Sequence, residues 1–366
     1  MEQTEQTLRR LIGEIRGADE SALEAARARQ AMLAKPPGSL GELENISIAL
    51  AGVTGQVKNA VTPARVYVLA ADNGVAAEGV SSAPQSVTLA QSINLTRGLT
   101  GASSLARHFG DQLVVVDMGI AADYRCPAIV NRSLGKGTKN LAKEPAMTRG
   151  QAVRGILTGM ELARDAKKDG IRALGVGEMG IGNTTTSSAV LAALLGLPAE
   201  RVTGRGGGVT DEAFARKKRV IEEALALHRP DPADPADVLS KVGGFDLCAM
   251  TGVFLGAAHE RIPVVIDGLI SITAALAAAR LCPDARACFF PSHASYEVGY
   301  RIAADELGLT PYLALGMRLG EGSGCPIAFR VLEAACAAMN DMATFAEAAI
   351  NDDYLAEIRE KDSFTV

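Results

Sequence analysis

In the first thirty residues, apolar side chains recur at helical spacing: Leu8, Leu11, Ile12 and Ile15. Two helices are therefore predicted over 3–33, with a break at Gly17-Ala18-Asp19. The run 35–41, K-P-P-G-S-L-G, stops that pattern. Beyond it, short apolar runs alternate with longer stretches of helical period. The runs 66–71, 113–116, 171–176, 263–266 and 287–290 read as buried strands. Helices are predicted near 87–108, 150–167, 184–195, 211–228, 248–260, 269–281 and 295–306. This alternation predicts an α/β fold whose parallel sheet is covered by helices on both faces. The proline-rich run 228–235 reads as a surface connection between units. From Pro326 onward the chain is again helical and Ala-rich. It is expected to join the N-terminal helices, giving a large α/β domain over 35–325 and a small helical one from 1–34 and 326–366. No internal repeat is evident.

Composition narrows the class. The chain has 366 residues, 48% of them hydrophobic and 22% charged, which suits a folded protein with a sizeable core. Aromatics are only 4% and Trp is absent, so the core must be built from Ala, Val, Leu and Ile. The net charge of −5 argues against a general grip on nucleic acid or anionic membrane. One local basic pocket for a phosphate is still compatible with it. The six cysteines form no C-x-x-C pair and read as buried reduced thiols, and the four histidines show no metal-ligand spacing. The polar, acidic start is unlike a signal peptide, and no apolar stretch is long enough to span a bilayer. A cytoplasmic location is expected, with neither metal nor cofactor.

The 38 glycines cluster at loops, and in a sheet of this kind ligands bind outside the carboxyl ends of the strands. The loop 175–186, G-V-G-E-M-G-I-G-N-T-T-T, matches G-x-G-x-x-G between a strand and a helix. Glu178 inside it would repel a pyrophosphate, whereas Asn183 and the threonines suit a single phosphate at a helix start. The alternative is a tight turn without a ligand. A second loop, 203–211, T-G-R-G-G-G-V-T-D, exposes backbone N–H groups that fit a phosphate or a ribose, or is merely flexible. Lys217 and Lys218 follow it and read by themselves as surface charges.

A third loop, 318–324, R-L-G-E-G-S-G, sets Glu321 between glycines, where backbone on both sides can approach a substrate closely. Glu321 is thus the best candidate for a general base, with an ordinary salt bridge as the alternative. Arg318 could grip a phosphate or neutralise that glutamate. The run 71–75, A-D-N-G-V, and the polar stretch that follows carry little by themselves. In 290–295, F-P-S-H-A-S, neighbouring Ser and His do not suit a hydrolase triad, and Ser295 reads more economically as a cap or phosphate ligand. Asp246 and Asp267 are further strand-end carboxylates, either of which could be structural.

Taken together, 35–41, 71–75, 177–185, 241–246, 265–268, 291–295 and 317–324 resemble the nicotinate-nucleotide–dimethylbenzimidazole phosphoribosyltransferase family of cobalamin lower-ligand synthesis. The resemblance implies a Rossmann-like large domain, a small helical domain and a homodimer. It implies transfer of ribose 5-phosphate from nicotinate mononucleotide to an aromatic base. Glu321 would remove the azole proton, and Glu178 would lie at the same site. The ribotide phosphate would sit near Gly180, Asn183, Thr184, Gly206, Gly207, Lys217, Ser295 and Arg318, with Leu319 close by. Ser81 and Gln85 would approach the incoming base. Better-known members often carry His where this chain has Asn73, which leaves the preferred base open, a phenol included. A non-catalytic dinucleotide-binding module is the alternative of a different class.

Overall fold

The computed structural model describes residues 2–361, so the expected helical segments at the chain ends are traced except for residue 1 and residues 362–366, which lie outside the described residues. Six parallel strands form one sheet: β1 (Ala64–Ala71), β2 (Gln112–Gly119), β3 (Val130–Asn131), β4 (Ala173–Met179), β5 (Val264–Ile266) and β6 (Phe289–Pro291). Their order is β3-β2-β1-β4-β5-β6. The strand order reverses between β1 and β4, so the loops leaving their carboxyl ends diverge and open a crevice there. The predicted strands are all present. β3 was not predicted, because two exposed residues carry no hydrophobic pattern.

Three helices precede β1: α1 (Glu2–Glu14), α2 (Glu20–Met32) and α3 (Glu42–Thr54). α3 was not predicted, although Ile46, Leu50 and Val53 bury one face of it. The single helix expected near 87–108 is two, α4 (Ser86–Thr96) and α5 (Gly101–Phe109). Gly98 turns left-handed between them (φ 74°), and Thr100 and Ser103 form a capping box that starts α5 afresh. The helices α6 (Arg149–Lys168), α7 (Asn183–Leu195), α8 (Ala199–Val202), α9 (Asp211–His228), α10 (Pro235–Val242), α11 (Phe245–His259), α12 (Leu269–Leu281) and α13 (Val298–Leu307) follow. α11 and α12 are apolar all round and bury nearly every residue. Small residues allow this: a Cβ at Gly159 or Gly252 would overlap backbone where α6 and α11 cross.

The last long helix, α14 (Cys325–Asp341), packs on the sheet and on α3. After it, 342–352 is turns and not the continuous helix expected, with Thr344 bridging back to Leu33. A single turn and α15 (Ala356–Lys361) end the described chain. Ala22, Ala26, Ala51 and Met339 make a small apolar cluster of their own between α2, α3 and α14. Among the described residues, no helix is long and apolar enough to cross a membrane.

Candidate active site

A cavity of about 270 Å³ opens at the reversal point of the sheet. It is lined by the loop after β4, the 205–209 loop, residues 267–271 after β5, residues 293–297 after β6, and 318–321. The 205–209 loop joins α8 to α9, and the other walls are chain at a strand's carboxyl end or the turn entering α14.

Two carboxylates form its floor. Glu178 is the sixth residue of β4, paired with Leu69 of β1, and is only 8% exposed. Asn183, at the start of α7, donates to Glu178 Oε2. Burial pushes the Glu178 carboxyl up to about 8, with the nearby charges of Asp246 and Asp267 adding to it. Glu321 is 3% exposed and takes the left-handed conformation (φ 62°) between Gly320 (φ 81°) and Gly322 (φ 79°). A side chain in that region costs on the order of 1–3 kcal/mol, tolerated only where surroundings impose it.

The surroundings are specific. Asp267, at the end of β5, accepts from Gly322 N at 3.1 Å and Gly324 N at 2.7 Å. The Glu321 N–H donates to Glu178 Oε1 (3.4 Å), and Glu321 Oε2 accepts from Ala102 N in the first turn of α5 (3.3 Å). A Cβ at Gly177 would overlap the backbone N of Gly322, so the turn lies directly on β4. Asp267 is fully enclosed and pushed up to about 7, mainly by burial. Beside it, Ser292 Oγ lies 3.0 Å from His293 Nδ1, and burial lowers the His293 pKa. That imidazole lines the cavity.

The opposite end is richer in glycine and cation. Lys217 of α9 is 1% exposed, and its Nζ donates to Thr184 Oγ1 (2.8 Å) and Gly204 O (3.2 Å). Burial brings its pKa down to about 8. Gly206 and Gly208 both adopt positive φ, and nothing approaches a Cβ at Gly207. Arg318 is exposed and lies over the Tyr296 ring, 5.6 Å from its centroid.

A family model described as phosphoribosyltransferase matches residues 15–350. The chain is 50% identical over 359 residues to a nicotinate-nucleotide–dimethylbenzimidazole phosphoribosyltransferase of Clostridium perfringens, covering 98% of this chain and 99% of that one. It is 48% identical over 341 residues to the enzyme of that name from a Roseiflexus species, covering 93% and 97%. The crystal structure of CobT from Thermus thermophilus superposes with a TM-score of 0.87 at 41% identity, over 91% of this chain and 99% of that one. The chain belongs to the nicotinate-nucleotide–dimethylbenzimidazole phosphoribosyltransferase family.

Of the residues this family's motifs singled out, Glu178, Glu321, Ser81, Gly180, Asn183, Thr184, Gly206, Gly207, Ser295, Arg318 and Leu319 all line the cavity. Two stand apart from its wall. Lys217 lies behind Thr184 and Gly204, and Gln85 is exposed, its amide making a long contact (3.5 Å) with Asn73 O. Asn73, the position that departs from better-known members of the family, is fully enclosed under the loop after β4 and contacts Asp246. Sequence reasoning weighed His293 only as part of a hydrolase triad and passed over Glu297, and both are in the wall. It noted Asp267 without assigning it a site role, although the strand-end rule that drew attention to Asp267 is the signal that finds it.

Proposed function

We propose that the protein transfers ribose 5-phosphate from nicotinate mononucleotide to 5,6-dimethylbenzimidazole or a related base, giving α-ribazole phosphate and nicotinate. The observation that carries this reading is the pair of buried carboxylates on one cavity floor, facing the glycine loops that suit a phosphate.

The pyridinium of nicotinate mononucleotide is already cationic, so its glycosidic bond breaks without protonation of the leaving group. The free ring nitrogen of the base attacks C1′ while Glu321 takes the proton from the other nitrogen. The electron pair of the old C1′–N bond returns to the pyridinium and neutralises it. Attack from the opposite face inverts β to α. A positioned base of this kind contributes roughly 10²–10⁴-fold. Glu178 supplies a second charge: a cation brought beside it favours the ionised acid, which then faces the positive charge building on the ribose.

The phosphate would bind at 204–208 with Ser295 and Arg318, and Lys217 would add its charge through Thr184 and Gly204. The acceptor base would lie toward 80–83. Asn73 reaches it only through the chain beneath, so base choice, phenols included, would turn on Ser81 and its neighbours. A homodimer and a cytoplasmic location belong to the same reading. Exposed Leu99, Tyr296, Leu315 and Leu319, on segments at or near the cavity, support the first, and six free thiols the second. A division into a large domain over 35–325 and a small helical one from the chain ends belongs to the same reading, with Ala22, Ala26 and Met339 of the small domain packing on Ala51 of the large one.

The test is a product assay with nicotinate mononucleotide and a panel of benzimidazoles, purines and phenols, read by mass spectrometry. Formation of an α-ribotide with release of nicotinate is expected. Absence of any ribotide product, together with tighter binding of NAD than of nicotinate mononucleotide, would overturn the reading in favour of a dinucleotide-binding module.

A further inference from the structure

Glu297 takes no part in the reaction as derived, yet it lines the same cavity. It stands at the N-cap of α13, where its side chain makes no capping bond. Its carboxylate presses on the 204–208 loop, so closely that a Cβ at Gly204 would overlap Oε2. That oxygen is buried without a hydrogen-bond donor. Lys217 is near enough for the Glu297 charge to act on it, but its Nζ is bonded to Thr184 Oγ1 and Gly204 O instead. The phosphate end of the cavity therefore holds a carboxylate that lines the wall and has no protein donor at Oε2, the oxygen enclosed against Gly204.

A carboxylate there opposes an anion unless it binds something the anion carries with it. A sugar phosphate does so: its ring hydroxyls are donors lying next to the phosphate. Carboxylates commonly hold ribose hydroxyls in this way, and charged acceptors make the stronger bonds. We propose that Glu297 accepts from the ribose hydroxyls of the nucleotide substrate and makes the site selective for ribose over deoxyribose 5-phosphates. This rests on the proposed transfer only in taking the substrate to be a ribose 5-phosphate.

The experiment compares nicotinate mononucleotide with its 2′-deoxy and 3′-deoxy counterparts in wild type, Glu297→Gln and Glu297→Ala. Calorimetric binding of ribose 5-phosphate and 2-deoxyribose 5-phosphate runs alongside, and melting curves confirm folding. Wild type is expected to discriminate against at least one deoxy nucleotide by about 10–100-fold in kcat/KM. In Glu297→Gln the discrimination should fall to a few-fold, mostly through KM, with kcat at saturation largely kept. If Glu297→Ala fails to fold, Glu297→Gln decides alone. Wild-type discrimination in a folded Glu297 variant would overturn the proposal. If wild type makes no ribotide but binds ribose 5-phosphate with a Glu297-dependent preference, the transfer reading fails and the Glu297 assignment stands.

Discussion

The two ends of the cavity are built in opposite ways. On the floor, Glu178, Glu321 and Asp267 are almost wholly buried, and each carboxylate accepts from a backbone N–H of a segment distant in sequence. At the glycine end, 204–208 is held mainly through the Lys217 contact to Gly204 and the outward pair of Arg205 with Asp211, and Arg318 is exposed. One end is preorganised and the other can adapt. Chemistry that needs a base within a few tenths of an ångström belongs at the first, whereas a phosphate, which tolerates several donor arrangements, suits the second. Substitutions on the floor should therefore act on kcat, and those at the glycine end on KM.

The largest effect is expected from Glu321→Gln. It keeps the shape of the turn and removes the basic oxygen, so turnover should fall roughly 10²–10⁴-fold with little change in the KM for nicotinate mononucleotide. Near-normal turnover in steady-state kinetics would break the contrast at its strongest point. Asp267→Asn comes next. An amide NH₂ would face the N–H of Gly322 or Gly324, leaving a buried donor unsatisfied at a cost of about 1–3 kcal/mol and loosening the left-handed turn. A lower melting temperature and a kcat reduced on the order of 10-fold or more are expected, and a KM-only effect would place Asp267 outside the floor.

Paired glycine substitutions sharpen the same contrast. Gly177→Ala pushes a methyl into the backbone of Gly322, whereas Gly207→Ala meets nothing within 4 Å. The first should destabilise by about 1–3 kcal/mol in chemical denaturation, and the second should leave stability unchanged while raising the KM for the nucleotide. Arg318→Gln should have a smaller effect, a several-fold rise in that KM with kcat kept. An unaltered KM would remove Arg318 from the phosphate end.

This division was only partly legible in the sequence. Glu178 and Glu321 stood out because glycines flank them, a local pattern, although Glu178 lies within β4 and not in the loop after it, and Glu321 in the turn entering α14. The alternation of apolar runs made the parallel sheet readable for the same reason. Asp267's role was not readable, since its two N–H partners lie 55 and 57 residues downstream and become neighbours only when α14 docks on the sheet. Lys217 looked like a surface charge on α9, because nothing local says that α7 and the 204–208 loop close over it. The break between α4 and α5 depended on a glycine and a cap that a hydrophobic count spans without noticing. The burial that lifts Glu178 also comes from tertiary packing alone.

That burial leads to the smallest effect and the one most specific to the floor. Glu178 rises from 4.5 to about 8 in the folded protein, and Asp246 and Asp267 rise from 3.8 to about 7. Between those limits the folded state holds protons that the unfolded chain has already lost. Stability contributed by these acids is therefore full below about pH 4 and is lost as pH rises toward 7–8. Glu178→Gln fixes the neutral form, so its melting temperature should fall less than that of wild type between pH 5 and 8. Arg318→Gln, at the other end, should track wild type across the same range. Saturating nicotinate mononucleotide should flatten the wild-type slope, because a cation beside Glu178 favours the form that alkaline pH otherwise imposes at a cost. Parallel curves for Glu178→Gln and wild type would mean that Glu178 is already ionised in the free protein. Glu178 would then carry a fixed charge before any substrate arrives, and release of its proton would play no part in receiving the cation.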